Sequence, residues 1–415
     1  MALRLGDSTG EPLLLLSHVY YASGDLRAAL ETVQRAQYQL PSRADLWSHY
    51  GVIQLKLGNL DGAQVALDRA LALDPTQPDA WMNLAIVKRN KGAVHDAVDL
   101  LRKATSLDPD SGRGWSNFGL ALRDAERLDE SLEALRRAVA LRPDHAPTHL
   151  NLASVIADSG ETEEAERVLI RALALDPGMI EARVARAWLL HNRGDSENAF
   201  VALGSVIRDH PGSSLARAAY GEIALWSRRF EEGWEQYEAR FGTDSAHAQP
   251  QTALESWNGE TLGEGELLIS SEQGIGDMIL FASCFSDALS RAPGAIVEAP
   301  AKLFDLFTRS FPKSTVFLQR NDRPNASLTG LDARLKRTIP AGSLMRLFRS
   351  SESDFFGRGT YLRADAKRVE YWRERLAALG GGPKIGISWQ GGFIRTGRLG
   401  RSIPIADWVP ILSGA

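Results

Sequence analysis

The chain has 415 residues, 44% hydrophobic and 24% charged, with a net charge of -4 and a pI near 6.1. That length exceeds a single compact core and calls for about two or three domains, while the mildly acidic balance excludes a general attraction to nucleic acid or anionic lipid. Cys284 is the single cysteine, which excludes an intramolecular disulfide. The N-terminus lacks the basic and apolar segments of a signal peptide, so the expected location is cytoplasmic, with no integral membrane association.

The first ~240 positions repeat. Trp47, Trp81 and Trp115 stand 34 residues apart, and the same step reaches Leu13, His149, Arg183 and Arg217. Small residues keep the same phase at Ser17, Gly51, Ala85, Gly119, Ala153, Ala187 and Gly221, and again at Ala29, Ala63, Ala97, Ser131, Ala165, Ala199 and Gly233. Prolines close each unit at Pro41, Pro75, Pro109, Pro143, Pro177 and Pro211, where a helix has to stop because proline has no N–H. The pattern is that of the tetratricopeptide repeat, a helix hairpin that buries its apolar face only by stacking on its neighbours. The expected fold of 1–241 is therefore an α-solenoid of about seven such repeats.

Two positions after each tryptophan position come His49, Asn83, Asn117 and Asn151. Their spacing forms a column on the inner helices, where amides offering both donor and acceptor suit the backbone of a protein or peptide partner. Asparagine is also common at this place for purely structural reasons, so both readings stand. Lys56, Asn90, Asp124, Asp158 and Asn192 lie farther along the same helices as specificity candidates, and the tryptophans read as packing residues. His145 and His149 have metal-compatible spacing but no third ligand nearby, and no metal site is expected.

Residues 242–260 read as a linker. Beyond them the hydrophobic period shortens. Strand patterns at 266–270, 295–298 and 315–318 alternate with helical patterns at 278–289 and 302–310, which implies a parallel α/β sheet over 261–365. A charged amphipathic helix at 366–382 then connects to 383–415, whose strand at 384–389 starts a second α/β unit that is cut short. Between the first strand and helix lies Ser271-Glu272-Gln273-Gly274-Ile275-Gly276-Asp277. Gly274 and Gly276 bare the backbone N–H groups at a helix start, where Asp277 either faces a ligand or caps the helix. Ile279 occupies the place of the third glycine of a dinucleotide fingerprint, and no phosphate loop of Walker type occurs, so the pattern does not support a nicotinamide or ATPase reading.

Several motifs together resemble bacterial tetratricopeptide proteins carrying a heptosyltransferase-like glycosyltransferase module, remotely similar to O-linked N-acetylglucosamine transferase. They are Tyr237-Glu238-x-Arg240-Phe241, Trp257-Asn258-Gly259, Leu267-Leu268, Glu272 to Asp277 with Phe281, Lys384 to Gly391, and Arg401-Ser402-Ile403-Pro404. The resemblance implies a Rossmann-like domain of GT-B type with a truncated second domain, and transfer of a sugar from a nucleotide-sugar co-substrate, without metal, to a protein presented by the repeats. Asp277 would be the catalytic base, with Glu272, Gln273, Gly274, Gly276, Gln390, Gly391 and Arg401 around substrate and donor, and Arg395 and Arg398 as weaker candidates in the same loop. The alternatives are a non-enzymatic scaffold for protein–protein interaction and a transferase acting on a lipid-linked or polysaccharide acceptor. The family's later Asp-x-x-x-x-His donor segment has no counterpart here.

Overall fold

The structure is a computed structural model that describes residues 10–242, 254–272, 274–318, 334–356, 359–382, 384 and 405–408. It divides into two compact units, one running to Ala182 and the other from Arg183 to Gly386.

The first unit stacks helix hairpins. They are α1 (Gly10–Ala22) with α2 (Leu26–Gln39), α3 (Ala44–Lys56) with α4 (Leu60–Leu73), α5 (Pro78–Asn90) with α6 (Val94–Leu107), α7 (Gly112–Asp124) with α8 (Leu128–Leu141), and α9 (Ala146–Asp158) with α10 (Thr162–Leu175). The small residues do what their spacing implies. A Cβ on Gly51 would fall 2.6 Å from Leu67 Cγ, and one on Gly119 would fall 2.5 Å from Leu135 Cγ, so the helices of a hairpin meet where no side chain intervenes. Ala29, Ala63 and Ala97 are fully buried at the matching positions of the outer helices.

The tryptophans are more than packing. The indole N–H groups of Trp47, Trp81 and Trp115 donate to the carbonyls of Pro41, Pro75 and Pro109 at 2.9, 2.8 and 2.8 Å, pinning each inner helix to the turn before it. His149 keeps the contact in the next unit, its Nε2 lying 2.8 Å from Pro143 O. This gives His149 a structural role, and among the described residues no cluster of metal ligands exists.

A third series, in the hairpin turns, stands out in the backbone angles. Gly24, Gly58, Gly92, Gly160 and Gly194 have φ between 78° and 91°, and the two places where the step of 34 meets another residue, Glu126 and Arg228, also have positive φ (63° and 59°). The turn geometry is imposed by the hairpin, and glycine is the residue that meets it without strain.

The second unit begins within α11 (Ile180–Asn192), continues through α12 (Ser196–Asp209), α13 (Ser214–Trp226) and α14 (Phe230–Tyr237), and then changes to a sheet that has five strands among the described residues. Its strands are β1 (Glu255–Ser256), β2 (Leu267–Ser270), β3 (Ile296–Ala299), β4 (Thr315–Leu318) and β5 (Arg337–Pro340), all parallel, in the order β1-β5-β2-β3-β4. β2 to β4 fall on the strands expected from sequence. Two elements do not. β5 carries a single fully apolar strand residue, Ile339, and its proline end masks the pattern, yet it pairs with β2 from Leu267↔Arg337 to Ser270↔Pro340. β1 lies inside the stretch expected to be linker, and next to it Trp257 is only 1% exposed, with its backbone N–H on Thr338 O at 2.9 Å.

The helix expected at 278–289 is split into α15 (Ile275–Phe281), a 3-10 turn, and α16 (Phe285–Arg291). The break coincides with the buried Arg349, whose Nη2 donates to Ser283 O at 2.6 Å. α17 (Phe304–Ser310) and α18 (Leu344–Phe348) complete the core, in which Trp234 of α14 packs together with Trp257, Phe281, Phe285 and Met345. The last repeat is thus part of the α/β core. The connecting helix, α19 (Ala366–Ala377), buries none of its residues.

Candidate functional site

Two places gather the sequence candidates. The first is the turn at the carboxyl end of β2. Gly274 caps α15, and Asp277, three residues on, accepts the Gly274 N–H on Oδ2 at 3.1 Å, so the carboxylate has the capping role. The Asp277 side chain is also exposed to solvent, as are Gly274 and Gly276, and a Cβ on Gly276 would meet nothing within 4 Å. Beside the turn, Glu298 of β3 accepts the Ser271 N–H at 2.8 Å, and its burial pushes the carboxyl pKa up although that hydrogen bond pulls it down.

Glu272 points the other way. Its two oxygens take a bidentate pair from Arg240, Nε to Oε2 at 3.0 Å and Nη2 to Oε1 at 2.9 Å, and Oε1 also accepts the Gly342 N–H. Arg240 further donates to Glu238 Oε1 at 2.9 Å, Tyr237 O at 3.1 Å and Ser343 Oγ at 3.0 Å, and its guanidinium lies 4.0 Å from the Phe241 ring centroid. Burial works against the charge of Arg240, but the hydrogen bonds and charges of Glu272 and Glu238 outweigh it and hold the pKa above the ordinary arginine value. With its side chain 5% exposed, Glu272 is a structural joint between the last repeat and the sheet, and the expected ligand contact is corrected accordingly. Sequence reasoning took Arg240 only as part of a motif, because nothing local shows that a residue 32 positions away completes it. Gln273, Gln390, Gly391, Arg395, Arg398 and Arg401 lie outside the described residues.

The second place is the inner-helix face of the first unit. Asn83, Asn117 and Asn151 are half-buried on α5, α7 and α9. Asn151 Nδ2 donates to Ser116 Oγ at 3.1 Å, whereas among the described residues the amides of Asn83 and Asn117 make no hydrogen bond. His49 does not continue the column as a groove residue. It is 7% exposed, its Nε2 lies 3.0 Å from Ser17 Oγ, and its ring sits 3.6 Å from that of His18, centroid to centroid. Desolvation, followed by the neighbouring His18, lowers its pKa to about 4.

Asp124 and Asp158, expected as specificity residues, are each met by an arginine from the preceding inner helix. Arg89 Nε lies 3.3 Å from Asp124 Oδ2, and Arg123 Nε lies 2.5 Å from Asp158 Oδ2. The partners of each pair are 35 residues apart, one more than the step of 34 that relates the two pairs. That offset was the signal available in the sequence.

A solved tetratricopeptide repeat protein from Parabacteroides merdae superposes with a TM-score of 0.51 at 18% identity, covering 57% of this chain and 94% of that one. The helical part has the tetratricopeptide repeat fold. The structure of pilF from Pseudomonas aeruginosa gives a TM-score of 0.45 at 18% identity over 52% of this chain and 97% of that one. Residues 8–188 of the repeat array match the C-terminal domain of cilia and flagella-associated protein 70. Protein FlbA of Caulobacter vibrioides is 30% identical over a match of 224 residues that covers 49% of this chain, and the chain spans 36% of the length of that relative.

Proposed function

We propose that the chain is a protein-interaction scaffold whose inner helices hold an extended peptide by its backbone. The observation that supports this is the pair Asn83 and Asn117, half-buried amides in the same place of successive repeats, with no hydrogen bond among the described residues. Each amide offers a donor and an acceptor, the two groups every peptide unit presents, and leaving such groups unpaired in a partly desolvated place is unfavourable. A displayed library of random peptides, selected on the purified protein, tests the reading. The double variant Asn83→Ala/Asn117→Ala is expected to weaken the best binder by about tenfold or more with its melting temperature unchanged. Equal binding by the variant would overturn it.

A second reading is sugar transfer from a nucleotide sugar to a protein, or to a lipid-linked or polysaccharide acceptor. It is favoured by one observation, the exposed Asp277 carboxylate at the carboxyl end of β2 in a parallel sheet, the end at which open α/β sheets bind ligands. Asp277 would take the proton of the acceptor hydroxyl as that oxygen attacks the anomeric carbon and the nucleotide phosphate departs. Asp277→Asn should lower incorporation of labelled sugar by about 10²-fold or more. Incorporation at the parental level in that variant removes Asp277 from the mechanism.

A further inference from the structure

We infer that the peptide held by the inner helices between the third and fifth repeats is an uncharged segment with apolar side chains. This rests on the scaffold reading above and adds the chemistry of the partner. A helix turns about 100° per residue, so residues four before, three after and seven after an asparagine share its face. On α5 these are Asp79, Ile86 and Asn90 beside Asn83, and on α7 they are Arg113, Leu120 and Asp124 beside Asn117. Three carboxylates, those of Asp79, Asp124 and Asp158, belong to this face, and each is already paired with an arginine of a neighbouring repeat. Arg113 pairs with Asp79, Arg89 with Asp124, and Arg123 with Asp158.

The pairs consume the charges of the face within the protein itself. A ligand carboxylate would have to displace Asp124 from Arg89 or Asp158 from Arg123, and a ligand ammonium would have to displace the arginines. Both inner pairs are partly shielded, with side-chain exposures of 29% and 13% in one and 26% and 21% in the other, so displacement also exposes a carboxylate or guanidinium that is now matched. What the face leaves for a ligand is amide from Asn83 and Asn117 and half-buried hydrocarbon from Ile86 and Leu120. Those groups suit a peptide backbone and neutral side chains.

The same library selection on the full chain, run in parallel on the parent and on Arg89→Ala/Arg123→Ala, tests the partner class. The parent should enrich peptides without net charge, and its best binder should change affinity by less than about twofold between roughly 50 and 300 mM salt. The variant frees Asp124 and Asp158 and should enrich peptides rich in Lys and Arg. Arg123→Gln alone, which keeps a hydrogen-bond donor, should shift the selection the same way and serves if the double variant fails to fold. Enrichment of charged peptides by the parent, or an affinity loss of about tenfold with salt, would overturn the inference while leaving peptide binding intact. Failure of the parent to enrich any peptide would instead remove the scaffold reading on which it rests.

Discussion

Arg240 grips Glu272 through two parallel hydrogen bonds, 3.0 and 2.9 Å long, and this buried pair ties the end of the repeat array to the turn after β2. Removing one partner of a buried pair leaves the other charge desolvated and alone, which costs about 3–5 kcal/mol. Arg240→Leu should therefore raise hydrogen exchange in both α14 and the strand β2. The double change Arg240→Leu/Glu272→Leu should recover part of the loss, because the buried Glu272 carboxylate is gone and Glu238, which also loses its arginine, is partly exposed and keeps the Ser343 hydroxyl. If Arg240→Leu exchanges at the parental rate, the joint has no energetic role.

Trp115→Phe keeps most of the ring but removes the indole donor that Pro109 O accepts at 2.8 Å. The expected loss is about 1 kcal/mol, the net value of one such hydrogen bond. It is read as a lower denaturant midpoint. Trp47→Phe and Trp81→Phe should behave alike, since the contact is the same.

Glu126 carries the left-handed turn that five glycines carry in other repeats. Relief of backbone strain favours Glu126→Gly, and the greater freedom of glycine in the unfolded chain offsets part of it. A net gain of about 0.5–1 kcal/mol is expected, measured by thermal denaturation of the two proteins side by side. A lower melting temperature for the variant would mean that the side-chain interactions of Glu126 outweigh the strain.

Acid should weaken the N-terminal repeats through His49. Its folded pKa of about 4 lies below the usual 6.5, so the unfolded chain binds more protons between those values, and stability falls as pH drops through that window. The facing groups are His18, itself lowered chiefly by desolvation with Asp45 opposing, and the Ser17 hydroxyl. From pH 7 to pH 5 the loss should be on the order of 1 kcal/mol after solvent screening. His49→Asn should flatten this part of the pH dependence, as followed by denaturation at both pH values.

Much of the repeat array was legible in advance, for a physical reason. Each hairpin contacts only its neighbours, so Gly51 and Leu67, or Trp81 and Pro75, recur at one fixed step and expose their roles by repetition. The glycine turn series and the Arg89–Asp124 and Arg123–Asp158 pairs obey similar steps and were available to a longer count. The candidate site was less legible. The column that includes Asn83 and Asn117 is visible as a spacing, but the same spacing placed His49 in a groove when its ring packs on His18 instead.

The sequence by itself determined the helix hairpins and the parallel α/β character of the region after the repeats, because both are written in local periodicity and in neighbours a fixed step apart. Only the tertiary structure decided that Glu272 belongs to Arg240 and that β5 enters the sheet between β1 and β2. Those outcomes depend on groups brought together across 32 or 70 residues, where charge pairing and backbone hydrogen bonding are settled by packing and leave no periodic trace along the chain.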